Sequence, residues 1–150
     1  ELRRDHGTSP YADQADLLAA RVEIDAREFD KAAGRLKRVM DGSGDAELAV
    51  VARGRLARVY LEQGKPDEAL ALVKAGEGGA FGPRFEEIRG DALLAKGDKG
   101  AALTAYRAAR EGAGTGVIDP GLLELKINAL EPAGAATPAA VPAAAPAKVN

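Results

Sequence analysis

Apolar positions along this chain fall into short stripes, and the stripes recur as a set. "YLEQGKPDEALALVKAG" (60–76) and "LLAKGDKGAALTAYRAA" (93–109) superpose at Leu61 and Leu94, Gly64 and Gly97, Ala69 and Ala102, and Leu70 and Leu103, always 33 residues apart. Each reads as an apolar stretch, a Gly-containing polar turn and a second apolar stretch. A third copy, "DAREFDKAAGRLKRVM" (25–40), sets Phe29, Ala32, Ala33 and Leu36 against Pro66, Ala69, Leu70 and Val73, now 37 residues on. The additional residues fall in the Gly-rich turn "DGSGDAE" (41–47), a natural place for an insertion. Self-similarity at a period near ~34 residues predicts helix–turn–helix units stacked as a solenoid.

Spacing at i, i+3 and i+4 predicts which side of each helix is buried. Before the turns the stripes are Tyr11, Ala15, Leu18, Ala19 and Val22; then Leu48, Ala52, Leu56, Val59 and Tyr60; then Phe85, Ile88, Ala92 and Leu93. After the turns they are Phe29, Ala32, Leu36 and Val39; then Ala69, Leu72 and Val73; then Ala102, Leu103, Tyr106 and Ala109. Ser9-Pro10 and Asp119-Pro120 read as a cap followed by Pro at the first helical position. Gly64 and Gly97 suit the left-handed residue that ends a helix, and Asp98 offers a cap to the next one. After Pro120, "GLLELKINALE" predicts one unpaired amphipathic helix with Leu123, Ile127 and Leu130 on one side. A lone terminal helix covering the last unit is what a solenoid needs at its end.

The expected architecture is therefore all-α: a right-handed solenoid of about three helix pairs plus a C-terminal capping helix, over residues 9–131. Residues 1–8 are expected to be a flexible N-terminal end. The stretch 132–150 is almost wholly Ala and Pro and is expected to be a disordered tail, because scattered Pro prevents a continuous helix. Within it, "PAAVP" (138–142) lacks the spacing of a proline-groove ligand. The chain opens with "ELRRDHGTSP" and not with Met, so it is expected to be a fragment of something longer.

Composition sharpens this picture. The 150 residues are 46% hydrophobic but only 4% aromatic, with no Trp, so the core must come from closely approaching small residues. Net charge is −2, and positions 1–40 balance basic against acidic residues, so the footprint of a nucleic-acid binder is missing. The absence of Cys excludes disulfides, Cys-ligated zinc and thiol catalysis. No stretch approaches the roughly 18 apolar residues of a membrane span.

Chemistry-bearing motifs are few. "DGSGD" (41–45) begins like a calcium loop, but the twelfth position is Ala52 where a bidentate Glu belongs. "GEGGAFG" (76–82) and "GAGTG" (112–116) place Phe81 and Val117 where a dinucleotide fingerprint needs its last Gly. Arg89-Gly90-Asp91 spells an adhesion tripeptide, yet it lies within a helical stripe, with Gly90 where two helices meet. The run Lys31, Arg35, Lys37 and Arg38 is balanced by Asp25, Glu28 and Asp30 and reads as a solvated side. His6 is the single His, Ser9 and Ser43 have no nearby base, and Glu86 and Glu87 point apart as helical neighbours. No catalytic, metal or cofactor site is expected, and the chain reads as a binding protein rather than an enzyme.

The residues at the turns follow the tetratricopeptide pattern: Leu56, Ala57, Tyr60, Gly64, Ala69 and Val73, then Gly90, Leu93, Gly97, Ala102, Tyr106 and Ala109. More narrowly, "YADQADLLAARVEIDAREFDKAAGRLKRVMD", "ARGRLARVYLEQGKPDEALALV", "EIRGDALLAKGDKGAALTAYRAA" and "LLELKINAL" resemble the YfgM family, the ancillary subunits of the bacterial SecYEG translocon. The resemblance covers about residues 10–130. It implies a single N-terminal inner-membrane span upstream, with the repeat domain in the periplasm. It also implies partners: the SecYEG translocon, a PpiD-like membrane-anchored periplasmic chaperone, and unfolded secreted proteins. A structural scaffold that never touches such clients is the rival expectation.

In a solenoid of this kind the first helix of each pair lines the concave side. The repeat register puts Gln14, Leu17, Arg21, Arg58, Glu62, Glu87, Asp91 and Leu94 there, with Arg21, Arg58 and Asp91 equivalent in the three units. The places where cytosolic co-chaperones grip a terminal carboxylate with Lys and Asn hold Leu17 and Arg21, Gly54 and Arg58, and Glu87 and Asp91, so that clamp is not expected.

Overall fold

The computed structural model describes residues 9–112, 114 and 116–131. Seven helices follow one another: α1 (Pro10–Asp25), α2 (Phe29–Gly42), α3 (Ala46–Glu62), α4 (Pro66–Leu72), α5 (Gly82–Ala95), α6 (Lys99–Glu111) and α7 (Pro120–Leu130). A 3₁₀ turn, Gly79–Phe81, precedes α5. Pairs α1–α2, α3–α4 and α5–α6 stack in chain order, each helix packs on its chain neighbours, and α3 also adjoins α1 and α5. The final helix α7 lies against α6. This is an all-α solenoid of three helix pairs with a closing helix.

The repeated turn is one backbone device used three times. Lys65 N donates to the Tyr60 carbonyl and Gly64 N to that of Leu61; Asp98 N donates to Leu93 and Gly97 N to Leu94. Both glycines hold a positive φ, 70° and 86°, which a side chain would oppose. The first turn repeats the pattern, with Glu28 N donating to Glu23 and Arg27 N to Ile24, but Arg27 itself takes φ 61°. Arg27 thus stands where the other two turns carry Gly.

Side-chain caps start three helices. Asp45 accepts from the amides of Glu47 and Leu48, Asp98 from Ala101, and Asp119 from Gly121 and Leu122. Ser9 precedes Pro10 but makes no side-chain cap bond. Three buried clusters run along the stack: Leu17, Leu36 and Leu56 among others in the first, Val73, Phe85 and Ile88 in the second, and Tyr106, Leu123 and Ile127 in the third. A close approach falls at Gly90, where a Cβ would sit 2.4 Å from two ring carbons of Tyr106.

One stripe differs from expectation. On α1 the residues Tyr11, Leu18 and Val22 are 84%, 65% and 62% exposed, whereas Asp13, Leu17 and Ala20 are buried. Two apolar rows wind along this helix, and hydropathy favoured the row that faces outward. The buried row contains an acid, and Asp13 is accommodated because Ser43 Oγ donates to its carboxylate at 2.6 Å. The same contact, with Asp45 capping α3, accounts for "DGSGD" without a cation. The basic run ties α2 to α1: Arg35 meets Asp16 at 2.8 Å and Glu23 at 2.7 Å, and Arg38 meets Asp16 at 3.3 Å.

Candidate functional site

A groove of about 810 Å³ opens on the side of the stack formed by α1, α3 and α5. Helix α1 contributes Arg21 and Ile24, α3 contributes Val50, Val51, Arg55 and Arg58, and α5 contributes Arg84 and Ile88. Gly54 lies at its floor, where its missing side chain leaves room for Phe85, whose ring a Cβ would meet at 3.1 Å. A second recess of about 440 Å³, with Asp25, Arg27, Phe29 and Glu62 in its wall, shares Ile24, Arg55 and Arg58 with the first. The two form one trough with an aliphatic floor and arginine walls.

Of the residues expected to line it, Arg21 and Arg58 are in the groove and Glu62 in the adjoining recess. Leu17 is not available: its side chain is 6% exposed and belongs to the first core cluster, and only its carbonyl faces Arg55, which donates to it at 3.2 Å. Glu87 is 2% exposed and enclosed by cations, with Arg84 at 2.7 Å, Lys126 at 3.0 Å and Arg58 at 3.5 Å. Asp91 turns toward the closing helix, where Lys126 Nζ reaches it at 2.7 Å and the Tyr106 hydroxyl donates to it at 2.7 Å. Burial, and then the hydrogen bond to Asp91, raise the Tyr106 phenol above its ordinary range. Gln14 and Leu94 are exposed but contribute to neither recess.

The expected row thus splits in two. Arg21, Arg58 and Glu62 share the trough, while Glu87 and Asp91 form a polar junction joining α5, α6 and α7. The physical reason is α7, which brings Lys126 over α5 and gives both acids a local partner. The adhesion-like tripeptide is consumed by the same junction: Arg89 pairs with Glu86 at 3.5 Å, Gly90 packs on Tyr106 and Asp91 holds Lys126.

Sequence reasoning missed Arg55 and Arg84. Arg55 stands three residues before Arg58, so both lie on one side of α3, and that spacing was a usable signal. Arg84 donates to the Val117 carbonyl and so fastens the loop before α7 to the groove rim. No sequence pattern announces that contact. Desolvation, and then the neighbouring Arg21 guanidinium, hold the Arg55 guanidinium below its usual range. His6 and the Ala/Pro tail lie outside the described residues.

Stacked helix pairs, turns in one register and a terminal closing helix define a repeat protein. The chain belongs to the tetratricopeptide repeat-like domain family, whose pattern matches residues 1–132. Within that class it is similar to curated proteins that share one name. The "Ancillary SecYEG translocon subunit" of Neisseria gonorrhoeae (strain ATCC 700825 / FA 1090) is 34% identical over 131 residues, 87% of this chain and 63% of that protein. Those of Aggregatibacter actinomycetemcomitans and Escherichia coli (strain K12) are 34% and 32% identical over 120 residues, 80% of this chain and 58% of each relative. The chain therefore spans about three-fifths of the length of these relatives. No solved structure matches it. Among the described residues no helix is long and apolar enough to cross a membrane.

Proposed function

We propose that this chain is the interaction domain of an ancillary SecYEG translocon subunit and works by binding proteins, not by chemistry. The observation that carries the proposal is the likeness to translocon subunits over 80–87% of the chain. The trough on α1, α3 and α5 is the docking surface, with Arg21, Arg58 and Glu62 in its wall and Gln14 and Leu94 outside it. In this reading the domain is held at the inner membrane by a span outside this sequence, faces the periplasm, and works beside a PpiD-like chaperone on emerging secreted proteins. Arginine-rich walls over an aliphatic floor suit partners that offer both apolar and acidic side chains.

The test is photo-crosslinking in cells from position 50, at the groove floor, with exposed Ala108 on α6 as the outward control. The expected adducts from position 50 are translocon subunits, the periplasmic chaperone or nascent secreted chains, with position 108 silent. Adducts confined to unrelated cytosolic proteins would overturn the reading. Adducts with translocon subunits but never with secreted chains would leave the scaffold alternative standing in its place.

A further inference from the structure

The groove carries a charge imbalance that its own side chains leave uncorrected. Four arginines line it, Arg21, Arg55, Arg58 and Arg84, and no carboxylate does. The nearest acid, Glu87, lies beneath the surface and is already shared among Arg84, Arg58 and Lys126. Arg55 has only the Leu17 carbonyl, and Arg21 has no hydrogen bond or ion pair among the described residues. Asp25 and Glu62 stand in the adjoining recess, where Arg27 also lies. Two guanidinium groups from adjacent helices, Arg21 and Arg55, therefore lie close enough to repel in a half-enclosed trough. Like charges in such a site repel more strongly than in open water. A carboxylate placed between them would turn that repulsion into paired, charge-assisted hydrogen bonds, and the planar guanidinium fork matches it better than an ammonium does.

The arrangement along the stack says more about the occupant. Arg21 belongs to α1, Arg55 and Arg58 to α3 and Arg84 to α5, so the cations follow the axis of the array. Neighbouring packed helices are roughly 8–10 Å apart, and a chain extended in the polyproline II form advances about 3.1 Å per residue with three residues per turn, so every third side chain returns to one side. Successive arginines are thus matched by carboxylates about three residues apart. Ile24, Val50 and Val51 supply a floor for aliphatic side chains between them. We infer that the trough binds an extended acidic segment of a partner protein, with Asp or Glu about every third residue and aliphatic residues between. This deepens the docking surface proposed above and rests on it. A single terminal carboxylate would engage one guanidinium pair and leave the rest of the row unused, and a phosphate backbone would leave the aliphatic floor uncovered.

The probe is a fluorescein-labelled, C-terminally amidated peptide of Glu-Val-Ser repeats, followed by anisotropy on the whole 150-residue chain. Its counterpart carries Gln for every Glu. The acidic peptide is expected to bind about tenfold or more tighter than the Gln peptide and to weaken as salt rises. The double variant Arg21→Gln/Arg55→Gln is expected to lose about tenfold in affinity, whereas Arg38→Gln, on α2 and outside both recesses, changes nothing. Circular dichroism melting keeps the result readable, since removing two like charges should leave the melting temperature unchanged or higher. Equal binding of the acidic and Gln peptides, or an unaltered affinity in the folded double variant, overturns the inference. So does full competition by a short poly-uridine oligonucleotide, or equally tight binding of a non-acidic peptide with a free C-terminal carboxylate. If crosslinking from position 50 still yields translocon adducts in the double variant, the acidic-segment inference fails while the translocon reading survives.

Discussion

The two ends of the array finish in different ways. At the α7 end Leu123 and Ile127 are buried, Asp119 caps the helix, and Lys126 crosses to α5 to meet Glu87 and Asp91. At the α1 end an apolar row, Tyr11, Leu18 and Val22, stands open. The same amino-acid class, placed on the first and last helices of one stack, is core in one case and surface in the other. Closing a stack takes a helix that buries its apolar side and also supplies partners for the polar atoms it covers. Helix α7 meets both conditions. The outward side of α1 meets neither.

Substitutions should separate the ends in a graded way. Leu123→Ala removes a fully buried side chain and is expected to cost about 3 kcal/mol in urea unfolding. Next comes Gly90→Ala, where the added methyl drives into the Tyr106 ring; overpacking of about 2 kcal/mol outweighs the better helix propensity of Ala, which is worth at most ~1 kcal/mol. Lys126→Met keeps the stem but strips the charge from Glu87 and Asp91. Because Arg84 still holds Glu87, the expected loss is about 1–2 kcal/mol, below that of a buried pair broken outright. At the other end Leu18→Lys should change stability by less than ~0.5 kcal/mol. A loss above ~1 kcal/mol there would abolish the contrast between the ends, and a silent Lys126→Met would reduce the closing of α7 to its apolar contacts alone.

Much of this was legible in the sequence. The period, the turn glycines, the Asp98 and Asp119 caps and five of the six paired-helix stripes follow from spacing, because burial of one side imposes that spacing. The α1 stripe was not legible: Leu17, Ala20 and Ile24 compete with Leu18 and Val22, and the presence of Asp13 in the buried row argues against it on hydropathy. The groove was half legible. Equivalence of Arg21 and Arg58 is a property of the repeat and survives, whereas the third equivalent, Asp91, is drawn off by Lys126 from a helix about one repeat further on. Repeat register predicts what neighbouring units share, and a non-repeating end piece is what it cannot foresee.

Because each helix touches mainly the ones beside it in the chain, the stack can be undone piece by piece. Helix α1 packs chiefly on α2 and α3, and its turn obliges Arg27 to adopt a conformation that glycine takes freely. Thermal fluctuation should therefore act like a zip with one blunt end. Amide protons of α1 would exchange with solvent first, those of α5 and α6 last, and the trough would lose its Arg21 wall well before the molecule as a whole comes apart.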